Sequence, residues 1–169
     1  MERLVRAIAL DVDGVLTDGS FLWGPGGDEL KRFHFLDVMG IVRARRAGMR
    51  FALVSGEDSP LVSRFAQKVG IEDVFTGCRD KAAALRTFAD RHGFDLRELC
   101  FMGDDVNDLP AMAIAGISAA PANAHFTVLE RVTFATTRAG GSGAVRELID
   151  QLVARGLATV EYDIPDMPR

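Results

Sequence analysis

"IALDVDGVLTDG", residues 8–19, is a short apolar run that stops at Asp11; a second aspartate follows at Asp13, then Gly14 and a Thr17-Asp18-Gly19 turn. It reads as a strand whose last residues are two carboxylates that repel one another, an arrangement tolerable only if something cationic sits among them. The same rhythm runs outward along the chain. "RFALVSGED", "DVFTG", "ELCFMGDD" and "AGISAAPA" are further β-rich runs, and "VMGIVRARRAG", "PLVSRFAQKVG", "KAAALRTFADRHG" and "LPAMAIAG" between them carry apolar residues at helical spacing. Gly48, Gly70, Gly93 and Gly116 stand where these helices need C-caps. Strand-helix-strand repetition with continuously apolar strands predicts a doubly wound α/β domain, a parallel sheet covered on both faces.

One segment breaks the rhythm. Residues 19–35, "GSFLWGPGGDELKRFHF", hold two extended runs around Gly24-Pro25-Gly26-Gly27-Asp28, which predicts a β-hairpin inserted after the first strand. Phe21, Trp23, Phe33 and Phe35 make it unusually apolar for a free excursion. The final "VEYDIPDMPR", residues 160–169, lacks periodicity and reads as a tail.

Composition narrows the classes. A chain of 169 residues, 48% apolar and 26% charged, suits one soluble domain over residues 1–169. A net charge of −4 with no basic cluster argues against a nucleic-acid surface. Cys78 and Cys100 are too few for a disulfide framework or zinc site and read as small buried hydrophobes. The first apolar run is too short for a signal peptide and none approaches ~18 residues, so a cytoplasmic protein without a membrane span is expected.

In open α/β sheets, ligands bind beyond the carboxyl ends of the strands. The first strand delivers Asp11 and Asp13 there and the second Ser55-Gly56-Glu57; Lys81 opens the helix after "DVFTG", and "LCFMGDDVND" brings Asp104, Asp105 and Asp108. Oxygen donors without His or Cys suit a hard divalent ion, Mg2+, among Asp11, Asp13, Asp104, Asp105 and Asp108. A carboxylate beside magnesium can attack phosphorus and form an acyl phosphate that water then hydrolyses. The chain offers a candidate for each part: Asp11 as nucleophile, Asp13 as proton donor and then acceptor, and Ser55, Gly56 and Lys81 to hold the phosphoryl oxygens. Taken singly, each has a plainer reading as a cap, a turn or a solvated charge; their conjunction in this order is the specific signal.

"DVDGVLTDG", "VSGEDS", Lys81 and "MGDDVNDLPAM" together resemble the haloacid dehalogenase superfamily of phosphotransferases. The hairpin with "DVMGI", and also "AGISAAPANAH" and "TRAGGSGAVRELID", resembles its small capless sugar-acid phosphatases, over about residues 5–152. The resemblance implies a Rossmann-like fold, magnesium held by the Asp11 and Asp104 side chains and the Asp13 carbonyl, and a homotetramer in which one subunit's hairpin covers a neighbour's site. It also implies a substrate: the terminal phosphate of an eight- or nine-carbon 2-keto-3-deoxy sugar acid. Two departures bear on which one. Glu57 replaces the Arg usual in eight-carbon enzymes, and with Lys68 eleven residues on it resembles the nine-carbon class, which favours a nonulosonate 9-phosphate over 3-deoxy-D-manno-octulosonate 8-phosphate; dipole-favoured ends of one helix would explain the same pair. Phe65 stands where the group often has Arg, leaving Arg64 as a candidate for the substrate carboxylate. His125 is expected on a loop near the site, and Arg138 with Gly140–Gly143 resembles a glycine-rich turn. The other classes are a phospho-aspartate signalling receiver, which would not poise Asp13 two residues past the nucleophile, and a catalytically idle regulatory or oligomerisation domain, which would not need every motif residue.

Overall fold

A computed structural model of the chain describes residues 4–160. The run that opens with Ala7 forms β1 (Ala7–Leu10), the buried centre of a sheet. The excursion after it contains β2 (Leu22–Trp23) and β3 (Glu29–Leu30), paired antiparallel with Leu22 opposite Leu30. Then follow α1 (Phe35–Arg46), β4 (Arg50–Val54), α2 (Pro60–Val69), β5 (Asp73–Phe75), α3 (Lys81–His92), β6 (Leu99–Met102), α4 (Leu109–Ile114), β7 (Ile117–Ala120), α5 (Phe126–Leu129), β8 (Phe134–Ala135) and α6 (Ala144–Ala154).

The six-stranded sheet runs β5-β4-β1-β6-β7-β8, all parallel. The chain builds outward from β1 to β4 and β5 on one side and later to β6, β7 and β8 on the other. The order therefore reverses at β1, and the crevice of such a sheet opens at that strand's carboxyl end. Alternate residues feed two cores. Ile8, Leu10, Phe51, Leu53 and Met102 face one, which also takes Ile41 of α1, Val62 of α2 and Leu148 of α6. Ala7, Ala9, Ala52, Val54 and Phe101 face the other, against Leu85 and Phe88 of α3 and Met112 of α4. The small Ala7 and Ala9 of β1 share this second core with the large Phe101 of the neighbouring strand β6 and Phe88 of α3. Two helices are tied at their ends: Asp37 of α1 accepts a hydrogen bond from the Arg146 N–H at 2.9 Å, supplying the side-chain cap that Gly143 cannot give α6.

The doubly wound parallel sheet is as expected, with corrections of detail. The sequence pattern contained no signal for α5 or β8, which are four and two residues long. Gly70 and Gly93 do cap α2 and α3 in the left-handed conformation. Gly116 does not cap α4, whose terminal residue Ala115 is extended. It is glycine because a Cβ there would lie 2.1 Å from the Arg97 carbonyl oxygen. Phe33 is not a free hairpin aromatic: it stacks on Phe65 with ring centroids 4.1 Å apart, so Phe65 is occupied as a core partner of the hairpin's exit. Both cysteines are free; Cys100 is in the core, where burial pushes its thiol to about 12, and Cys78 is half-buried. Beyond Val160 the expected tail lies outside the described residues. No described helix is long and apolar enough to cross a membrane.

Candidate active site

Each strand that reaches the crevice supplies one piece. Asp11 follows β1 directly and is buried; its Oδ1 accepts from the Val12 N–H at 2.7 Å and its Oδ2 lies 3.0 Å from the Lys81 ammonium. Lys81, the first residue of α3, is buried too and reaches Asp108 Oδ1 at 2.6 Å. Asp108 uses its other oxygen to accept from the N–H groups of Asp104 and Asp105, at 2.9 and 3.2 Å. Carboxylate oxygens of Asp11, Asp104 and Asp108 lie within 4.8 Å of one another.

The electrostatics follow from burial. Desolvation lifts Asp104 from the ordinary 3.8 to about 6, with the Asp108 charge adding to the shift. Burial and the same neighbour hold Asp11 well above the usual range, against the pull of Lys81. Burial works against the Lys81 charge, but the carboxylates of Asp11 and Asp108 outweigh it and raise its pKa. Three acids thus share one ammonium, and a divalent cation would balance the remainder. Both oxygens of Asp108 and both of Asp11 already have a partner, so a cation at this cluster would share Asp11 with Lys81 and take Asp104 beside it. An all-oxygen donor set of this charge fits magnesium, which supplies a Lewis acid for phosphoryl oxygens when bound.

An acid whose pKa is raised by folding binds its proton more tightly folded than unfolded. Its contribution is therefore present below 3.8 and is lost as pH climbs through about 6. Thermal unfolding in chelator should show a midpoint that falls between about pH 4.5 and 7, with a smaller fall in Asp104→Asn and a smaller one again with magnesium added. A midpoint that rose equally in both proteins over that range would contradict the assignment.

The pocket at this edge has a volume of about 190 Å³ and is lined by Asp11, Asp13, Gly56, Glu57, Lys81, Asp104, Asp105 and Asn107. A larger hollow of about 460 Å³ lies at the opposite end of the sheet, beside Arg6, Arg50 and His92, away from these carboxylates. Ser55 is buried and is not among the residues that line the pocket; its Oγ accepts from the Glu57 N–H at 3.2 Å. Asp105 is exposed and caps its own short turn through the Val106 N–H. Arg64 and Lys68 are exposed on α2 and are not brought to the pocket; of the Glu57–Lys68 pair only Glu57 lines it. His125 caps α5 with its ring and bonds the Asp104 carbonyl with its N–H, at 2.8 Å.

The loop that carries these acids is held by close contacts between residues distant in sequence. Gly14 has φ +91°, and a Cβ on it would lie 2.0 Å from Asp104 Oδ2, so only glycine lets the first loop approach the acid. Gly140 presses on Gly14 in turn, with 1.9 Å from its hypothetical Cβ to the Gly14 carbonyl oxygen. Asn123 ties the two together, donating to Gly14 O at 3.0 Å and accepting from Gly140 N–H at 2.6 Å. The glycine-rich turn thus buttresses the Asp11–Gly14 loop. Lys31, from the hairpin, bonds Asp13 Oδ1 at 2.5 Å.

Comparison with known proteins shows the family. The family described as haloacid dehalogenase-like hydrolase matches residues 21–113. The chain is 36% identical to 3-deoxy-D-manno-octulosonate 8-phosphate phosphatase KdsC of Haemophilus influenzae over 92% of this chain and 87% of that one. The KdsC of Escherichia coli K12 is 36% identical over 88% of this chain and 79% of its own. A crystal structure of the corresponding phosphatase from Moraxella catarrhalis, with magnesium, phosphate and KDO bound, superposes with a TM-score of 0.86 at 32% identity, covering 89% of this chain and 86% of that one. With its acids and lysine set at the reversal point of the sheet, the chain belongs to the haloacid dehalogenase-like hydrolases and is a phosphoric monoester hydrolase.

Proposed function

We propose that this protein is a magnesium-dependent phosphatase of 3-deoxy-D-manno-octulosonate 8-phosphate that works through a phospho-aspartyl intermediate. The observation that carries the reading is the buried Asp11 carboxylate held 3.0 Å from the Lys81 ammonium at the mouth of the pocket. Asp11 attacks phosphorus while the ester P–O bond breaks, and Asp13 delivers a proton to the departing alkoxide. Asp13 then takes a proton from water as that water attacks the acyl phosphate, releasing phosphate and regenerating Asp11. Lys81 and the backbone N–H groups around Gly56 hold the phosphoryl oxygens through both steps. Asp11 and Asp104, with the Asp13 carbonyl, would hold magnesium, which would supply positive charge for the transferring group. Asp108 orients Lys81 and the Asp104 loop.

The eight-carbon substrate is preferred over nine-carbon acids because the curated relatives are named for it and because Lys68 stands away from Glu57's pocket. A space of about 190 Å³ is below the ~300–1,000 Å³ usual for small-molecule sites, enough for a phosphoryl group but not for the sugar chain. The sugar must be enclosed by something further. On the hairpin, Trp23 is 72% and Phe21 63% exposed, and Leu22 and Leu30 are exposed beside them. Burying each aromatic is worth roughly 2–3 kcal/mol, so a homotetramer in which a neighbour's hairpin closes the pocket accounts for both facts.

One set of assays tests the whole reading. Wild-type protein should hydrolyse 3-deoxy-D-manno-octulosonate 8-phosphate faster than nonulosonate 9-phosphates, lose activity in chelator and regain it with magnesium but not calcium. A Phe21→Ser/Trp23→Ser variant should form smaller oligomers by light scattering and lose most sugar-acid turnover, while keeping p-nitrophenyl phosphate hydrolysis. Faster turnover of the nine-carbon esters would overturn the substrate. An unchanged tetramer with full sugar-acid activity would overturn the hairpin's role.

A further inference from the structure

Most of the hairpin is exposed, yet the side chain of Lys31, just after β3, is only 4% exposed. A lysine is almost never buried without partners. Here they are Asp13 Oδ1 at 2.5 Å and Glu29 Oε1 at 3.2 Å. Glu29 extends the chain through its Oε2, which accepts from the Ser59 hydroxyl at 3.4 Å, and Ser59 Oγ caps α2 by accepting from the Leu61 N–H at 3.3 Å. A continuous polar path therefore joins the first catalytic loop, the exit of the hairpin and the start of α2. Asp13 lines the pocket and Lys31 does not, so the ammonium stands behind the carboxylate and not against a substrate. Asp13 Oδ2 makes no hydrogen bond to another described residue.

We infer that Lys31 is a positioning residue for phosphoryl transfer: it fixes one oxygen of the Asp13 carboxylate from behind and so presents the other to the leaving group and then to water. The inference rests on the roles proposed for Asp11 and Asp13. An unrestrained aspartate rotates among staggered side-chain conformers, and a displacement of about 1 Å in a proton-transferring group can cost ~10²-fold in rate. Both half-reactions use the same carboxylate, so both depend on the one contact. The hairpin is then more than a cover for a neighbour; its exit strand orders a group of its own subunit's site.

Rapid-quench kinetics on Lys31→Met and Lys31→Arg test this. With the sugar-acid phosphate, Lys31→Met should lower kcat by about 10–10²-fold and leave KM within about threefold, and hydrolysis of the phosphoenzyme should slow by a similar factor. Phosphoenzyme formation from p-nitrophenyl phosphate, whose leaving group needs no proton, should fall much less. Lys31→Arg, which keeps the charge and a donor, should recover most of kcat. If Lys31→Met does not fold, Lys31→Gln replaces it in the same comparison with Lys31→Arg. A raised KM at unchanged kcat would overturn the inference in favour of direct substrate contact. Equal losses in the rate of phosphoenzyme formation from both substrates, accompanied by a lowered thermal midpoint or dissociated oligomers, would overturn it in favour of a structural role. Asp13→Ala is measured alongside: if it leaves both steps intact, the role of Asp13 itself fails, a result distinct from a normal Asp13 dependence with a silent Lys31.

Discussion

Asp11→Asn should leave less than about one hundredth of wild-type turnover and no detectable phosphoenzyme, with the fold intact. The amide has no anionic oxygen to attack phosphorus, so the covalent route closes; a loss of 10²-fold or more corresponds to at least ~2.7 kcal/mol of barrier. Stability should move the other way. Asp11 is one of three acids crowded at the carboxyl edge of β1, and burial together with Asp108 already disfavours its charge. Removing that charge relieves repulsion, so the thermal midpoint in chelator should equal or exceed that of the parent. Unfolding by circular dichroism and acid-quenched detection of bound phosphate check the two halves. More than about a tenth of the parent rate would exclude Asp11 as nucleophile.

Why Asp11 was legible and Lys31 was not is a matter of range. Asp11, Lys81 and Asp104 each sit where a strand ends or a helix begins, and the parallel sheet brings those ends to one edge. Their meeting could be inferred from local pattern alone. The apolar runs of β1, β4 and β6 were legible in the same way, whereas the β1–β4 and β1–β6 pairings that set the reversal point appear only in the structure. Lys31 follows a two-residue strand in an insertion, and nothing in its neighbours says that its ammonium turns inward to Asp13. The same holds for Asn123, which bridges Gly14 and Gly140 across 109 and 17 residues of sequence. From the resemblance, Phe65 reads as standing in place of a substrate arginine; its packing partner Phe33 comes near only when the hairpin folds back. Gly116 carries the plainest lesson. Its position at a helix end suggested a cap, whereas the cause is the Arg97 backbone pressed against it from another element. Helical pairing of Glu57 with Lys68 assumed one continuous helix, but α2 begins only at Pro60, leaving Glu57 in the loop that lines the pocket.

Lys81→Met should be the most damaging single change, because it strips two buried acids of their ammonium at once. Asp108 is fully buried and Asp11 nearly so, and among the described residues Lys81 supplies the only ion pairs to either. Methionine fills a similar volume without a charge, so what is lost is the electrostatic partner and two hydrogen bonds, not packing. Breaking a buried pair from one side typically costs about 3–5 kcal/mol, since the remaining charges must be protonated or left uncompensated. Denaturant unfolding at neutral pH in chelator should show a loss of that order, and magnesium should recover part of it by taking over as the counter-charge. Turnover should not return with the metal, because the phosphoryl oxygens have lost their charged donor, a deficit of roughly 10²–10³-fold. A second substitution separates the two effects. Asp108→Asn in the Lys81→Met background removes one of the stranded charges and should restore much of the stability, while activity stays at the single-variant level. If the double variant regained activity along with stability, Lys81 would be a structural counter-ion only. If Lys81→Met were as stable as the parent, the buried triad of Asp11, Lys81 and Asp108 would not be the electrostatic unit that its distances describe.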